Sequence, residues 1–427
     1  MTRLGRQAAG GLRRHLAGEV VLPTDETYDE HRNAFLREGS PAVIVRGRTR
    51  DDVRKAIDFA REHDLELSVR SGGHAFPGFG TNDGGVVLDL GLINQVEVVD
   101  ADRRIVRLGS GATWEDVTRE LAPYGLAITS GDTTTVGVGG LILGGGMGWM
   151  VRRYGLTIDS LVAADVVTAD GRALRASADR NPDLFWALRG GGGNFGVVTS
   201  FELVAQPVRE VYAGSIHYPR EDMASVLKGW RDVMRAAPDE LTTMVAIMPE
   251  GMMPQPFMIT VCVAGGDATT AERIVEPLLG LGDVTAKDLK VMPYGDILVE
   301  PPPAPPPGLS PFATNSLTSD LSDDLIDLYA AGLTGGPPIM GQIRSLGGAV
   351  SRMPSAATAF AYRDSEALLQ TVSLSPAPEA RSAFAAFRES LAPYTRGSYG
   401  NLMSSVEPED VAALYPPDTL ERLVAVK

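Results

Sequence analysis

The chain has 427 residues, more than one hydrophobic core usually supports, so two domains, or one with a large insertion, are expected. Its 44% hydrophobic and 22% charged residues are those of an ordinary globular protein, and a formal charge of −15 argues against nucleic acid as a partner. Cys262 is the single cysteine, which excludes an internal disulfide framework and a cysteine-built metal site and suits a reducing compartment.

The N-terminal "MTRLGRQAAGGLRRHLAGEVVLP" is basic, and Arg13-Arg14 invites comparison with a twin-arginine signal. No apolar run of about 7 to 15 residues follows, so no secretory signal is predicted and a cytoplasmic location is expected. From Asp51, "DDVRKAIDFAREH" sets Val53, Ala56, Ile57 and Ala60 at helical spacing, and "LELSVR" then alternates like a strand. That strand opens into the loop "SGGHAFPGFGTNDGG" before "VVLDL" resumes extended structure. A second helix is predicted at "TWEDVTREL", with Thr113 as cap, Asp116 three residues on and Gly125 beyond the end.

Next comes "GDTTTVGVGGLILGGGMGWM" from Gly131 to Met150, uninterrupted by charge between Asp132 and Arg152. It approaches the roughly 20 residues of a membrane span, but its glycines and Thr133-Thr134-Thr135 make it too weakly apolar, so no span is predicted. "LVAADVVTADGRAL" then reads as a hairpin turning at Ala169-Asp170-Gly171, and "NPDLFWALRGGGGNFGVVTSFELV" as helix, tetraglycine loop and strand. Beyond about Val208 the texture changes. "TTMVAIM" and "FMITVCV" alternate like antiparallel sheet, with helical windows such as "DMASVLKGWRDVMRAA" between extended segments. The proline-rich "EPPPAPPPGLSP" from Glu300 to Pro311 reads as a rigid surface loop, and no internal repeat is apparent.

Do the glycine loops bind a nucleotide? The spacing in the Gly131–Met150 stretch fails the dinucleotide fingerprint. A literal match at Gly191, Gly193 and Gly196 stands in inverted context, helix before and strand after, and counts as chance. Glycine still lets backbone approach a ligand and expose successive N–H groups, which suits a pyrophosphate held by loops. The bland reading is a set of tight turns.

The motifs "VRSGGHAFPGFGTNDGGVVLDL", "TSGDTTTVGVGGLILGGGMGWMVRRYGLTIDSL" and "NPDLFWALRGGGGNFGVVTSFEL", in that order, resemble the FAD-linked oxidases of the vanillyl-alcohol oxidase (PCMH-type FAD-binding) superfamily, nearest its berberine-bridge-enzyme-like branch. The likeness is dense from Gly18 to Leu203 and returns at "GGAV", "AFAYRD" and "SYGNL". It implies an α+β fold: a two-subdomain FAD-binding domain over residues 1–205, a substrate domain over 206–395 whose antiparallel sheet covers the flavin, and a return to the FAD domain over 396–427. Relatives continue into an Asp-Pro-x-Asn-x-Phe closing segment, whereas this chain stops at Lys427.

Carried over by position, Arg70, Ser71, Gly72, Gly73 and His74 match the first phosphate-binding loop, whose histidine bonds to the flavin 8α-methyl. Ser130, Gly131, Gly137, Gly139, Gly140 and Asp159 correspond to cofactor contacts, and Gly196 and Val198 to the adenine-side strand. Many relatives add a second link through a cysteine, and here that position is Thr133, so FAD attached singly through His74 is expected. Cys262 reads as a buried, inert thiol. Relatives end on Tyr-x-Asn-Tyr, the second tyrosine taking the substrate proton. Here the segment is Tyr399-Gly400-Asn401-Leu402, leaving Tyr399 and Asn401 as catalytic candidates on one face of an expected strand, with Tyr154, Tyr362 and His217 as alternative bases.

The implied activity is hydride transfer from a small, largely apolar or aromatic alcohol or amine to the flavin, with dioxygen reoxidising it to give hydrogen peroxide. Met244, Met248, Met252, Met253 and Met258 suggest an adaptable apolar pocket, with core packing as their default role. The alternative is an FAD-containing cyclase or pericyclic catalyst without net redox change. Partners are a small-molecule substrate and dioxygen, with no nucleic acid, membrane or metal, and a homodimer is left open.

Overall fold

The computed structural model describes residues 10–301, 311–335, 338–375 and 377–427. Most of the proline-rich piece lies outside them. Three sheets organise the chain. The first holds β1 (Glu19–Val21), β2 (Val43–Arg46), β3 (Leu67–Arg70) and β4 (Val86–Asp89) in the order β1-β2-β4-β3. Its last three strands are parallel, and β1 is antiparallel to β2. The crossover between β2 and β3 contains helix α1 (Arg50–Glu62), which buries Val53, Ala56, Ile57 and Ala60, the residues whose spacing predicts it. Thr49 and Asp52 form its capping box, satisfying two otherwise orphaned N–H groups of the first turn.

The second sheet is antiparallel: β5 (Val96–Asp100), β6 (Ile105–Gly109), β7 (Leu161–Val167), β8 (Ala173–Ser177) and β9 (Val197–Val204), in the order β5-β6-β9-β7-β8. The predicted hairpin is β7–β8. Helix α2 (Trp114–Leu121) starts at the predicted Thr113–Asp116 capping box and buries Trp114, Val117 and Leu121. The Gly131–Met150 stretch contributes only a seven-residue helix, α3 (Val138–Gly144). Among the described residues no helix is long and apolar enough to cross a membrane. Helix α4 (Pro182–Leu188) runs through the tetraglycine loop into β9, the reverse of the strand-to-helix order that a dinucleotide fingerprint requires.

The third sheet has seven antiparallel strands: β10 (Glu210–His217), β11 (Leu241–Ile247), β12 (Phe257–Ala264), β13 (Ala286–Pro293), β14 (Phe312–Thr318), β15 (Ile339–Ser345) and β16 (Ala367–Ser373), ordered β13-β10-β12-β11-β15-β16-β14. Helices α5 (Met223–Ala236), α6 (Ala268–Leu279), α7 (Asp323–Thr334) and α8 (Pro378–Leu391) share an apolar core with one face, built on Ile216, Val245, Ile259, Ile343 and Leu369. Alternation sends the intervening residues to the other face, where Ala213, Cys262, Leu317 and Leu368 join the core shared with the second sheet. This second face of the large sheet therefore closes over the glycine loops. This is a mixed α/β architecture with antiparallel sheets, as the resemblance implies.

Candidate functional site

Two glycine loops meet at the centre. The first leaves β3 after Arg70, whose side chain packs against Gly73 and Gly80 and whose guanidinium bonds Asp89 of β4 at 2.6 Å and the carbonyl of Asn33 at 3.0 Å. Both partners are buried, so Arg70 braces the strand end, and any contact it makes with a ligand is left to its backbone. Ser71 Oγ donates to the Ser110 carbonyl at 2.6 Å and accepts from Gly139 N–H at 3.3 Å. A Cβ added to Gly72 would lie 2.3 Å from the Gly137 nitrogen, and one added to Gly137 would lie 2.1 Å from the Gly72 nitrogen. Only glycine at both positions lets the two backbones touch. Gly73 has φ +76 and turns the chain so that His74 faces the second loop. There His74 Nε2 lies 2.9 Å from Thr135 Oγ1, and its ring stacks on Phe35 at 4.6 Å and 23°. Burial pushes the imidazole pKa below its ordinary value, while the charge of Asp132 pulls the other way.

In the second loop, Ser130 is fully buried, its hydroxyl 2.9 Å from that of Tyr294. Gly131 packs so closely on Leu141 that a Cβ would lie 2.8 Å from it. Asp132 and Thr134 make backbone bonds to Val299 at 2.9 and 3.0 Å, pinning the loop beside the large sheet. Gly137 and Gly139 open helix α3, and Gly140 faces open space, with no atom within 4 Å of an added Cβ.

Across from this loop, neighbouring strands put side chains in two rows. One runs Leu317, Leu368, Arg344, Met244, Thr260, Ser215, and the other Asn315, Gln370, Gln342, Ala246, Met258, His217. Arg344 reaches out of its row and donates to Asp132 at 2.6 Å. Burial raises the Asp132 pKa, but the Arg344 charge and hydrogen bond outweigh it and hold the carboxyl below its ordinary range. The Nε of Arg344 and the Oε1 of Gln370 are buried without a partner.

The C-terminal candidates do not stand in a strand. Tyr399 has an extended backbone and precedes a 3-10 turn, Gly400–Leu402, and the Asn315 carboxamide takes both of its backbone groups, at 2.7 Å from its N–H and 2.9 Å from its carbonyl. The Tyr399 hydroxyl is buried and accepts from Gly146 N–H at 3.0 Å and from Asn401 Nδ2 at 2.9 Å, and Asn401 also donates to the Leu141 carbonyl at 3.1 Å. The pair grips the turn after α3. Of the alternative bases, Tyr362 donates to the Ala413 carbonyl, Tyr154 lies under the Arg153 guanidinium, and His217 bonds Ser215 on β10, so the three stand on separate elements.

Asp159 receives Arg363 through both oxygens, at 2.7 and 2.8 Å, with both side chains almost fully buried. Gly196 has φ +132 and lies against the Val167 carbonyl, and Val198 is in the core, so either would meet a ligand through backbone. Of the methionines, Met244 is half-buried in its row, whereas Met252 is exposed on the β11–β12 turn. Cys262 is buried, and burial pushes its thiol pKa up. Sequence reasoning passed over Asp132, Thr135, Arg344, Gln342, Gln370 and Phe35. The one local signal was the polar "DTTT" heading an otherwise apolar stretch. Among the described residues no group of three or more His, Cys, Asp or Glu is placed to hold a metal ion.

Comparison with known proteins adds three findings. A family model described as an FAD binding domain matches residues 41–177. The chain is 37% identical to (R)-6-hydroxynicotine oxidase of Paenarthrobacter nicotinovorans over 66% of its own length and 62% of that protein, and 30% identical to an uncharacterised FAD-linked oxidoreductase of Bacillus subtilis (strain 168) over 96% and 94%. The structure superposes on glucooligosaccharide oxidase from Acremonium strictum, described with a 6-S-cysteinyl, 8α-N1-histidyl FAD, with TM-score 0.83 and 25% identity over 98% and 95% of the two chains.

Proposed function

The chain belongs to the FAD-linked oxidases of the vanillyl-alcohol oxidase superfamily, and on that premise we propose that it oxidises a small alcohol or amine, largely apolar or aromatic, and forms hydrogen peroxide from dioxygen. The observation that carries this reading is the closure of a sheet face of mixed polar and apolar residues, ion-paired through Arg344, over two interlocked glycine loops.

The residues present fit an FAD. Gly140 opens onto free space, and Ser110 Oγ, Arg344 Nε and Gln370 Oε1 are buried polar atoms without partners, which suits a ligand that brings its own hydrogen-bonding groups. Arg70 to His74, Ser130, Gly131, Gly137, Gly139, Gly140, Asp159, Gly196 and Val198 are the proposed holding set. Within it, Arg70 and Asp159 act by bracing the backbone through Asp89 and Arg363. Bound FAD supplies the hydride acceptor and the route to dioxygen. The protein's own part would be positioning: the interlocked loops would hold the group, and the large sheet would screen one side of it from water. Tyr399 and Asn401 keep the Gly144–Gly146 turn in place. The second covalent link described for the glucooligosaccharide oxidase needs a thiol, and Thr133 has none, so His74 is the proposed single tether. The half-buried Met244 beside Arg344, with Ala246 and Met258 in the next row, favours an apolar or aromatic substrate over a sugar.

Anaerobic mixing of the yellow protein with 6-hydroxynicotine, aromatic alcohols and amines, and gluco-oligosaccharides tests this reading. Bleaching of the flavin band by an aromatic compound, followed by peroxide on admitting air, is the expected result. Product formed without bleaching would overturn it.

A further inference from the structure

We propose that a cavity at the helix-covered side of the large sheet, where β15 ends and β16 begins, is a second binding site, separate from the flavin cleft, that takes a small organic carboxylate on the guanidinium of Arg152.

Arg152 stands in the short helix Val151–Tyr154, just past the long uncharged stretch, and is only 7% exposed. A guanidinium carries five N–H donors and keeps its charge in proteins. Two of the five are used here, on the carbonyls of Leu346 at 2.8 Å and Ala237 at 3.2 Å. Neither acceptor is charged, and the Nε–H is buried without a partner. Burial lowers the Arg152 pKa, and the fields of Asp239 and Glu366 offset this in part without a hydrogen bond to it. Both of those carboxylates are engaged elsewhere, Asp239 with Arg352 at 2.6 Å and Glu366 with Arg235 at 2.6 Å. Buried charges in proteins are paired, because an unpaired one gives up its hydration for nothing.

Beside this guanidinium lies a cavity of about 330 Å³, at the lower end of small-molecule sites. Arg152 lines it, with Nη1 next to Gly347, where an added Cβ would stand 3.5 Å away. Gly348, at φ +53, holds the turn tight: a Cβ there would meet the Arg152 carbonyl at 2.4 Å. The remaining charges of the wall are matched within the protein, Arg231 by Asp323 at 2.5 Å, Arg235 by Asp320 at 2.7 Å as well as by Glu366, Asp239 by Arg352, and Asp364 by Arg396. Among the described residues, Arg152 is thus the one charge of the wall without a counter-ion.

The wall also selects the kind of anion. A carboxylate matches the edge of a guanidinium with two parallel hydrogen bonds. Asp239, Asp364 and Glu366 in the same wall repel a multiply charged anion such as phosphate, so a single negative charge fits best. Trp230 and Met234 of α5, with Leu346, add apolar surface for a carbon skeleton behind the carboxylate. The exposed Arg235, Ser351 and Asp364 mark the way in from solvent. None of the residues proposed to hold FAD lines this cavity.

Calorimetric titration of the purified protein with sodium benzoate in low-chloride buffer, with inorganic phosphate alongside, tests the site. Expected is a saturable benzoate site, with phosphate weaker by about tenfold or more. Arg152→Gln removes the charge, and Ser351→Glu brings a carboxylate to the rim of the cavity; each should weaken benzoate by about tenfold or more. Absence of benzoate binding, phosphate as tight as benzoate, or benzoate binding that both variants retain overturns the proposal. Should Arg152→Gln fail to fold, Ser351→Glu, at an exposed position, decides it.

Discussion

Arg344 and Asp132, 212 residues apart in the chain, form a 2.6 Å ion pair across the seam between the large sheet and the second glycine loop. Neither is more than a quarter exposed, so removing one partner leaves the other charge poorly solvated. Asp132→Asn or Arg344→Met alone is expected to cost roughly 3 kcal/mol in chemical denaturation, while the double variant recovers most of it. The pH dependence has a definite sign. A carboxyl whose pKa is lowered on folding adds stability above its unfolded value, and that stability is lost as pH falls through the folded one. In Arg344→Met the lowering is gone, and acid unfolding begins at higher pH.

Contact of the two glycine loops sets a steric limit. Gly137→Ala puts a methyl group 2.1 Å from the Gly72 nitrogen, so the loops must part. Overpacking of this kind costs about 1–3 kcal/mol, and the flavin content of the purified variant should fall more steeply than its thermal stability.

Arg363 and Asp159 form the most deeply buried bidentate pair near the site. Arg363→Met strands a carboxylate in the interior and is expected to cost about 3–5 kcal/mol, measured by the urea midpoint. Arg363→Lys keeps the charge but not the two-pronged geometry and should fall between.

The attachment of flavin proposed for His74 would need neutral imidazole. Burial lowers its pKa, so the rate of covalent incorporation should rise with pH and level off at a lower pH than an ordinary histidine, near 6.5, would give. A time course of denatured-protein fluorescence across a pH series checks this. A rate still climbing above pH 8 would contradict it.

Tyr399 has its hydroxyl in the Gly146 turn, so Tyr399→Phe should act on stability more than on chemistry. Two donors lose their acceptor, at a cost of about 1–3 kcal/mol. The rate of flavin reduction by a substrate should change less than tenfold. A loss of a thousandfold with the fold intact would assign the phenol a proton-transfer role instead.

Local chemistry was legible in the sequence, and distant chemistry was not. The Thr49–Asp52 and Thr113–Asp116 caps and the β7–β8 hairpin depend on residues within a few positions of one another, and each forms where the sequence predicts it. His74 stands out in the sequence as a candidate because its flanking motif spans one loop. Tyr399 keeps an extended backbone, but Asn315, 84 residues away, takes both of its hydrogen-bonding groups and the chain turns at Gly400–Leu402, so the expected strand does not form. Arg344 and Arg363 were invisible for the same reason: their partners lie in another sheet or loop, and nothing in "GQIRSLGG" or "AFAYRD" announces a carboxylate across the seam.

The Arg363–Asp159 pair also bears on the order in which the molecule is made. A ribosome that has released residues 1–205 has synthesised both glycine loops, both smaller sheets and the two carboxylates Asp132 and Asp159, but neither arginine that neutralises them. Those counter-ions emerge only with β15 and the segment before β16, and the Tyr399–Asn401 clasp later still. Up to that point Asp132 and Asp159 lack the arginines that neutralise them, so burying either carboxylate costs more than in the finished chain. The charge balance around the loops is therefore complete only when nearly the whole polypeptide is available.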